Sequence, residues 1–552
     1  MRPAIQACLL MFASGAGLFA QPSEFPIFYW HGPPPAFNTL EQWQRVKECN
    51  FAVAGPTYYT PEDNRKLLGF CRQLGIRAIV SDPQLNREML GRQDWRDVVG
   101  RVVAGYASEP ALYGYYLIDE PNADLFPDLA LLHGEVQRRD PKHPPFINLF
   151  PTYASPAQLG APTYAEYVER FLTTVTPGIL GYDHYALMKG GGIRADYFEN
   201  LEIIREHGLR FNVPAWNTIL SIPHYGYRDP SEGDMRWQAY TSLAYGMKGI
   251  GWFTYWTIKE FENEGVAIVS SNGQPARLFP IVRDINSEVR VLGRMLLRLT
   301  STGVFHTGGV PVGCRRLGSD ALVQVPQEAP LVLGFFRDEG GGDFVMIVNR
   351  DYTKPVEYAI SFRSHVVSVA EVDATDGTLK ALALSNRRAR LKLRPGDGKL
   401  LQLTTSRPLT AINFQFNTDG DVEGWGHPHS LSDPNVKEGV LAMTFSGSDP
   451  FISRGNLRLA SGTVTKIRVR MKLPPCNPAG QIFWSTADEP NLADDKHLDF
   501  PVRPDGAFHE YEIPVGTHPK WHGKTVTLIR FDPTTGGATP GSQVEIDYLR
   551  GE

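Results

Sequence analysis

The stretch YGYYLIDEPNADL, Tyr113 to Leu125, decides how the first half of the chain is read. It opens as an apolar, aromatic run of the kind a buried strand uses and ends on two adjacent carboxylates, Asp119 and Glu120. Pro121 then stops the strand, and the Asp and Asn of Asp119-Glu120-Pro121-Asn122 are residue types that cap the start of a helix. A buried strand that runs out into acids and passes straight into a helical pattern is one β-α unit of a parallel sheet.

Seven more units of this type surround it. Apolar, β-branched or aromatic runs recur at 25–32 (FPIFYWHG), 50–59 (NFAVAGPTYY), 76–83 (IRAIVSDP), 144–151 (PPFINLFP), 178–187 (GILGYDHYAL), 209–219 (LRFNVPAWNTI) and 249–256 (GIGWFTYW). The intervening stretches, such as LEQWQRVKEC and YFENLEIIREHG, repeat apolar residues every three or four positions, as helices do. Eight units predict a (β/α)8 TIM barrel over 24–300, closed by a helix through 279–299. An open doubly wound sheet would have fewer strands and a glycine-rich loop after the first one. Here the first strand runs into WHGPPP, and no phosphate-binding glycine motif follows.

Beyond residue 300 the period changes from helical to two, with Gly, Asp and Pro turns between short strands. The fold class expected is therefore α/β, a TIM barrel followed by two all-β sandwich domains, at 301–408 and 409–552, with SRPLT (406–410) as the boundary. The last domain, with FNTDGDVEGW near its start, VEIDYLR at its end and Trp425, Trp484 and Trp521 available, has the outline of a jelly-roll carbohydrate-binding module, and a purely structural sandwich packed on the barrel is an equally open reading.

Composition excludes several classes of function. A net charge of -5 with Lys and Arg spread along the chain offers no basic stripe, so nucleic acid is not an expected partner. Residues 1–20, with Arg2, an apolar stretch and Ala20, read as a signal peptide, which places the protein in the secreted or periplasmic space. No later run supplies a membrane span. After cleavage four cysteines remain. Their spacing fits no metal site, and Cys49 and Cys71 are the pair near enough in sequence for a local disulfide. No metal or cofactor is expected.

In a TIM barrel the site lies at the carboxyl ends of the strands. The residues expected there are Trp30, His31, Tyr58, Asp119, Glu120, Asn148, Asp183, His184, Tyr185, Trp216, Asn217, Tyr255 and Trp256. Carboxylates and aromatics dominate, cations are scarce, and grouped His ligands are missing. Such a set suits a sugar, whose bond is cleaved by carboxyl groups and whose CH faces lie on aromatic rings. Glu120 is the expected general acid, because a like charge at Asp119 and partial burial keep a carboxyl protonated. Asp119 and Glu120 are expected to face different sides of the pleat or to diverge at the strand terminus, so that one enters the cleft while the other supports it.

This arrangement resembles the retaining β-glycosidase barrels, including the family-42-type β-galactosidases, which carry Asn-Glu-Pro at the end of strand four. YYLIDEP matches with Asp119 in place of Asn, and AYGMKGIGWFTYW (244–256) followed by GVAIVSSNGQP (265–275) looks like their last strand. The resemblance implies Glu120 as acid/base, but it also implies a nucleophilic Glu ending strand seven, where NVPAWNTIL offers Trp216 and Asn217. Three replacements are open: Asp183 as nucleophile or base, a loop acid (Glu232, Glu260, Glu262 or Glu264), or the substrate itself. The last follows a second resemblance, to barrels that cleave N-acetylhexosaminides, in which an adjacent Asp-Glu pair assists an acetamido nucleophile. It implies Asp119 and Glu120 in those roles, with Tyr185 bonding the acetamido oxygen. The expected partner is an oligo- or polysaccharide, either as substrate or as the ligand of a non-catalytic glycan-binding barrel.

Overall fold

A computed structural model of the chain describes residues 24–319, 321–363, 365–406 and 409–552. The signal peptide expected over 1–20 lies outside the described residues, as do Arg407 and Pro408 of the expected boundary.

All eight expected strands form one parallel sheet: β1 Ile27–Tyr29, β2 Val53–Ala54, β3 Arg77–Ser81, β4 Leu112–Asp119, β5 Pro145–Leu149, β6 Leu180–Asp183, β7 Ala215–Leu220 and β8 Gly249–Phe253. Their order, β1-β8-β7-β6-β5-β4-β3-β2, brings the first and last strands together, and the Ala52 amide donates to the Ile27 carbonyl at 3.1 Å across the remaining seam. The sheet is thus a TIM barrel.

Among the described residues nine helices surround it: α1 Leu40–Glu48, α2 Pro61–Leu74, α3 Trp95–Ala104, α4 Phe126–Arg139, α5 Pro156–Leu159, α6 Tyr164–Thr174, α7 Tyr197–Phe211, α8 Glu232–Ala244 and α9 Leu278–Leu296. Local sequence sets their starts. Thr60 and Thr163 cap α2 and α6 by accepting from the amides three residues on, and Ser231 forms a capping box with Asp234 at α8.

Aromatic side chains fill the barrel interior. Trp216 lies 5.2 Å from Phe28, 5.5 Å from Tyr113 and 5.7 Å from Phe146, ring centre to ring centre, while Trp30 packs on Tyr116 at 5.3 Å. Rings this large fit because Gly181, Gly249 and Gly251 face them. A Cβ at these positions would come within 2.4–2.7 Å of Phe146, Trp216 and Phe28 respectively.

After α9 the chain builds antiparallel sheets. A six-stranded sheet, which includes Leu331–Arg337 and Asp343–Asn349, faces a three-stranded one. The larger sheet lies directly on α8, where a Cβ added to Gly334 would stand 1.9 Å from the Ala244 carbonyl oxygen, so only glycine permits the contact. The remaining chain forms two further antiparallel sheets around a separate apolar core. Trp425, Trp484 and Trp521 belong to that core, each at most 1% exposed, so of the two readings open for these rings, sugar contact or structural packing, the structure shows packing. Cys49, Cys71, Cys314 and Cys476 are all free thiols, so the local disulfide that the spacing of Cys49 and Cys71 permits does not form.

Candidate functional site

Three neighbouring strands, β4, β5 and β6, build the site at their carboxyl ends. Their register is offset by a bulge in β4: Tyr116 pairs with Phe146, but Ile118 pairs with Ile147 and Asp119 with Asn148, leaving Leu117 as the extra residue. One inserted residue reverses the sidedness of everything after it. Asp119 consequently faces the same way as Tyr116 and Asn148, into the cleft. Glu120 then takes a left-handed conformation, with φ of 44°, held by its amide donating to the Asn148 carbonyl at 2.8 Å. That turn brings its carboxyl into hydrogen-bonding contact with Asp183. The expected divergence of Asp119 and Glu120 is therefore cancelled by a bulge and a left-handed residue, and both carboxyls join one cluster. A bulky residue in this region is uncommon and marks local strain, here at the residue with the strongest chemical potential.

Asn148 ties the cluster together. Its amide nitrogen donates to Asp119 at 3.0 Å and to Asp183 at 3.2 Å, and Tyr185 also hydrogen-bonds Asp183. Burial pushes the Glu120 carboxyl well above its ordinary pKa, and the like charges of Asp183 and Asp119 push it further. Asp183, buried and beside Asp119, is raised too, but its two donors favour its ionised form. The two carboxyls titrate as a coupled pair, and protonation is favoured most at Glu120, where burial and both acidic neighbours act in the same direction. Asp119 is exposed, yet desolvation still raises its pKa to about 6. Open to water at the carboxyl end of β4, Asp119 forms the floor of the candidate site.

Aromatic groups ring this floor. Tyr58 hydrogen-bonds Tyr116 beside Asp119, His31 lies 6.3 Å from Tyr58 and 5.9 Å from Phe253, and Phe253 packs on Tyr185 at 5.1 Å. Burial lowers the His31 pKa to about 4, so the imidazole is neutral near pH 7. Four residues that the strand-end reading did not single out complete the wall. Tyr227 and His224 pack on Tyr185, Tyr153 hydrogen-bonds Tyr227, and the Arg194 guanidinium lies 4.0 Å from the Tyr153 ring centre. All four stand on loops, where strand periodicity gives no signal.

The other expected residues lie elsewhere. Trp30 and Trp216 fill the barrel interior, the former donating to Thr218 at 3.2 Å. β7 continues to Leu220, so Trp216 and Asn217 stand near its start rather than its end, and Asn217 turns outward to donate to Ser242 at 2.9 Å. His184 faces away from the Asp183 side, wholly buried, with Asp196 at 3.5 Å and Tyr197 against its ring. Tyr255 stacks on Tyr29 and Trp256 packs on Phe37, both outside the cleft.

β7 contributes no carboxylate to the site. Glu232 pairs with Arg236 on α8, Glu264 with Lys189, Glu260 accepts from Tyr225, and Glu262 accepts from Ser271, so none of the loop acids belongs to the cluster. A separate cavity of about 430 Å³, lined by residues including Phe198, Trp237, Arg350 and Tyr352, lies where the barrel meets the first sandwich.

No protein-family model matches the chain, and no curated protein matches it. Similar solved structures exist. A glycoside hydrolase family 5 protein of Bacteroides vulgatus aligns over 69% of this chain and 89% of its own, at 11% identity and a TM-score of 0.47. The isomalto-dextranase of Arthrobacter globiformis, solved with panose, aligns over 96% of both chains at 10% identity and a TM-score of 0.42. The β-galactosidase of a psychrophilic Marinomonas aligns over 50% of this chain at 12% identity and a TM-score of 0.39, and 62% of its own length is covered. These neighbours are glycoside hydrolases.

Proposed function

We propose that the protein is a glycoside hydrolase, acting outside the cytoplasm, with Glu120 as the proton donor. The observation that carries this reading is the convergence of three carboxyls from β4 and β6 in an aromatic-walled cleft, one held protonated and one open to solvent. Cleavage of a glycosidic bond needs a proton on the departing oxygen and negative charge beside the oxocarbenium-like carbon. Glu120 supplies the proton, since burial and its two acidic neighbours keep it protonated near pH 7. Asp119, ionised above about pH 6 and exposed on the floor, supplies the charge. Asp183 is buried and acts through Glu120 as a positioning residue, accepting from Asn148 and Tyr185.

A second reading, substrate assistance, is favoured by the burial of Asp183 and the lack of an acid on β7. With Asp119 the one exposed carboxylate of the cluster, a 2-acetamido group would serve as nucleophile while Asp119 orients it.

The test is hydrolysis of aryl glycosides and polysaccharides by the wild type beside Glu120→Gln. Turnover that disappears in the variant supports the reading. Cleavage confined to 2-acetamido substrates and blocked by a thiazoline analogue selects substrate assistance. Glycan binding without turnover, equal in both proteins, would replace the enzyme with a binding barrel.

A further inference from the structure

Among the described residues, the aromatic rings that are largely exposed are Tyr58, at 68%, and Tyr225, at 64%. Both stand on loops at the carboxyl ends of barrel strands, the end that carries the carboxyl cluster. Tyr58 borders Asp119 directly. Tyr225 stands on the loop after β7, two ring contacts from Tyr185: its ring lies 5.5 Å from His224, whose ring lies 5.7 Å from Tyr185.

Tyr225 is exposed but not loose. Its φ is 47°, a left-handed conformation seldom taken by a bulky residue. Two neighbouring loops converge to hold it there. From the loop after β8, Glu264 accepts from its amide at 3.0 Å and Glu260 accepts from its hydroxyl at 3.0 Å. From the loop after β6, Lys189 donates to its carbonyl and pairs with Glu264 at 2.7 Å. Phe261 supports the ring edge-on at 5.2 Å. Each polar group of the residue is bonded, and what remains is a ring in water whose orientation is set. Presenting an apolar face to solvent in a fixed pose does nothing for folding, whereas a flat, immobile face continuous with an aromatic-lined cleft is what the CH side of a sugar ring packs on.

We propose that Tyr225 is a stacking platform for a sugar unit beyond those at Glu120, so that the substrate is a saccharide chain rather than a single glycoside. This rests on the proposed function for the identity of the ligand and extends it to the number of sugar units bound.

The experiment measures both hydrolysis and calorimetric binding of cello-, xylo-, galacto- and chito-oligosaccharides, from disaccharide to hexasaccharide, by wild type, Tyr225→Ala and Tyr225→Phe. In the wild type kcat/KM and affinity rise with length, and Tyr225→Ala lowers the long-to-short ratio about tenfold. Tyr225→Phe, which keeps the ring and loses the bond to Glu260, retains most of the length dependence and shows that the loss is one of face rather than of fold. A wild type indifferent to length, or a Tyr225→Ala variant with undiminished length dependence, overturns the platform even when glycosides are cleaved. Length-dependent binding that Tyr225→Ala removes, in a protein that cleaves none of them, keeps the platform and overturns the enzyme.

Discussion

Glu120→Gln separates chemistry from stability in a way that follows from the crowding of the site. The Glu120 carboxyl is held protonated in the folded protein by burial, by Asp183 and by Asp119, while in the unfolded chain it ionises with a pKa near 4.5. A carboxyl whose folded pKa is raised makes the folded state lose stability as pH climbs. The loss begins above the unfolded pKa and is complete only above the folded one. Each pH unit in that window is worth about 1.4 kcal/mol, so at pH 7 the penalty is about 3 kcal/mol. Glutamine has the same shape, stays neutral, and its amide donates to Asp183 where the protonated acid did. The variant is therefore expected to be inactive yet more stable, by nothing near pH 4 and by about 3 kcal/mol at pH 7, or about 5 °C in the barrel's transition. Scanning calorimetry of both proteins from about pH 4 to about pH 8 measures the difference. A stability difference that does not vary with pH, or a variant less stable than wild type at neutral pH, would refute the proton assignment. Retained turnover would refute the catalytic one.

Asp183→Asn removes a like charge in contact with Glu120, worth at most about 4 kcal/mol at an effective dielectric constant of about 20. The Glu120 pKa falls, and the alkaline limb of kcat/KM is expected to move down by about one to two pH units; an unmoved limb would show that Asp183 does not set the proton. Asn148→Ala takes a donor from both Asp119 and Asp183, so the pKa of each rises, the acid limb moves to higher pH and stability drops by about 1–3 kcal/mol. A pH-rate profile together with a melting curve checks both effects. Gly334→Val drives a side chain into the Ala244 carbonyl and is expected to destabilise the junction of α8 and the first sandwich by about 3 kcal/mol, read as a lower melting temperature. A melting temperature unchanged from wild type would show that this contact is not close.

Periodicity and strand-end chemistry were readable along the chain. Alternation of buried runs with helical patterns identified all eight strands, and Asp119, Glu120, Asn148, Asp183 and Tyr185 were readable as candidates because each lies at or just past the carboxyl end of β4, β5 or β6. Sidedness was the harder property, because a two-residue period assigns faces only relative to a known register and a known strand end. The bulge at Leu117 and the left-handed turn at Glu120 leave no mark in residue type, yet they decide that both acids face Asp183. β7 runs to Leu220 because its last residues bond α8 and β8, contacts made by Gln238 and Phe253 from far along the chain, and this draws Trp216 into the interior. Tryptophans of the last sandwich look alike in sequence whether they meet sugar or core, and only packing buried them. Tyr225 is the reverse case, a ring left in water because the loops after β6 and β8, brought to it by barrel closure, hold it there. Local sequence determined the elements and their order; contacts between distant residues determined which side chains share the cleft.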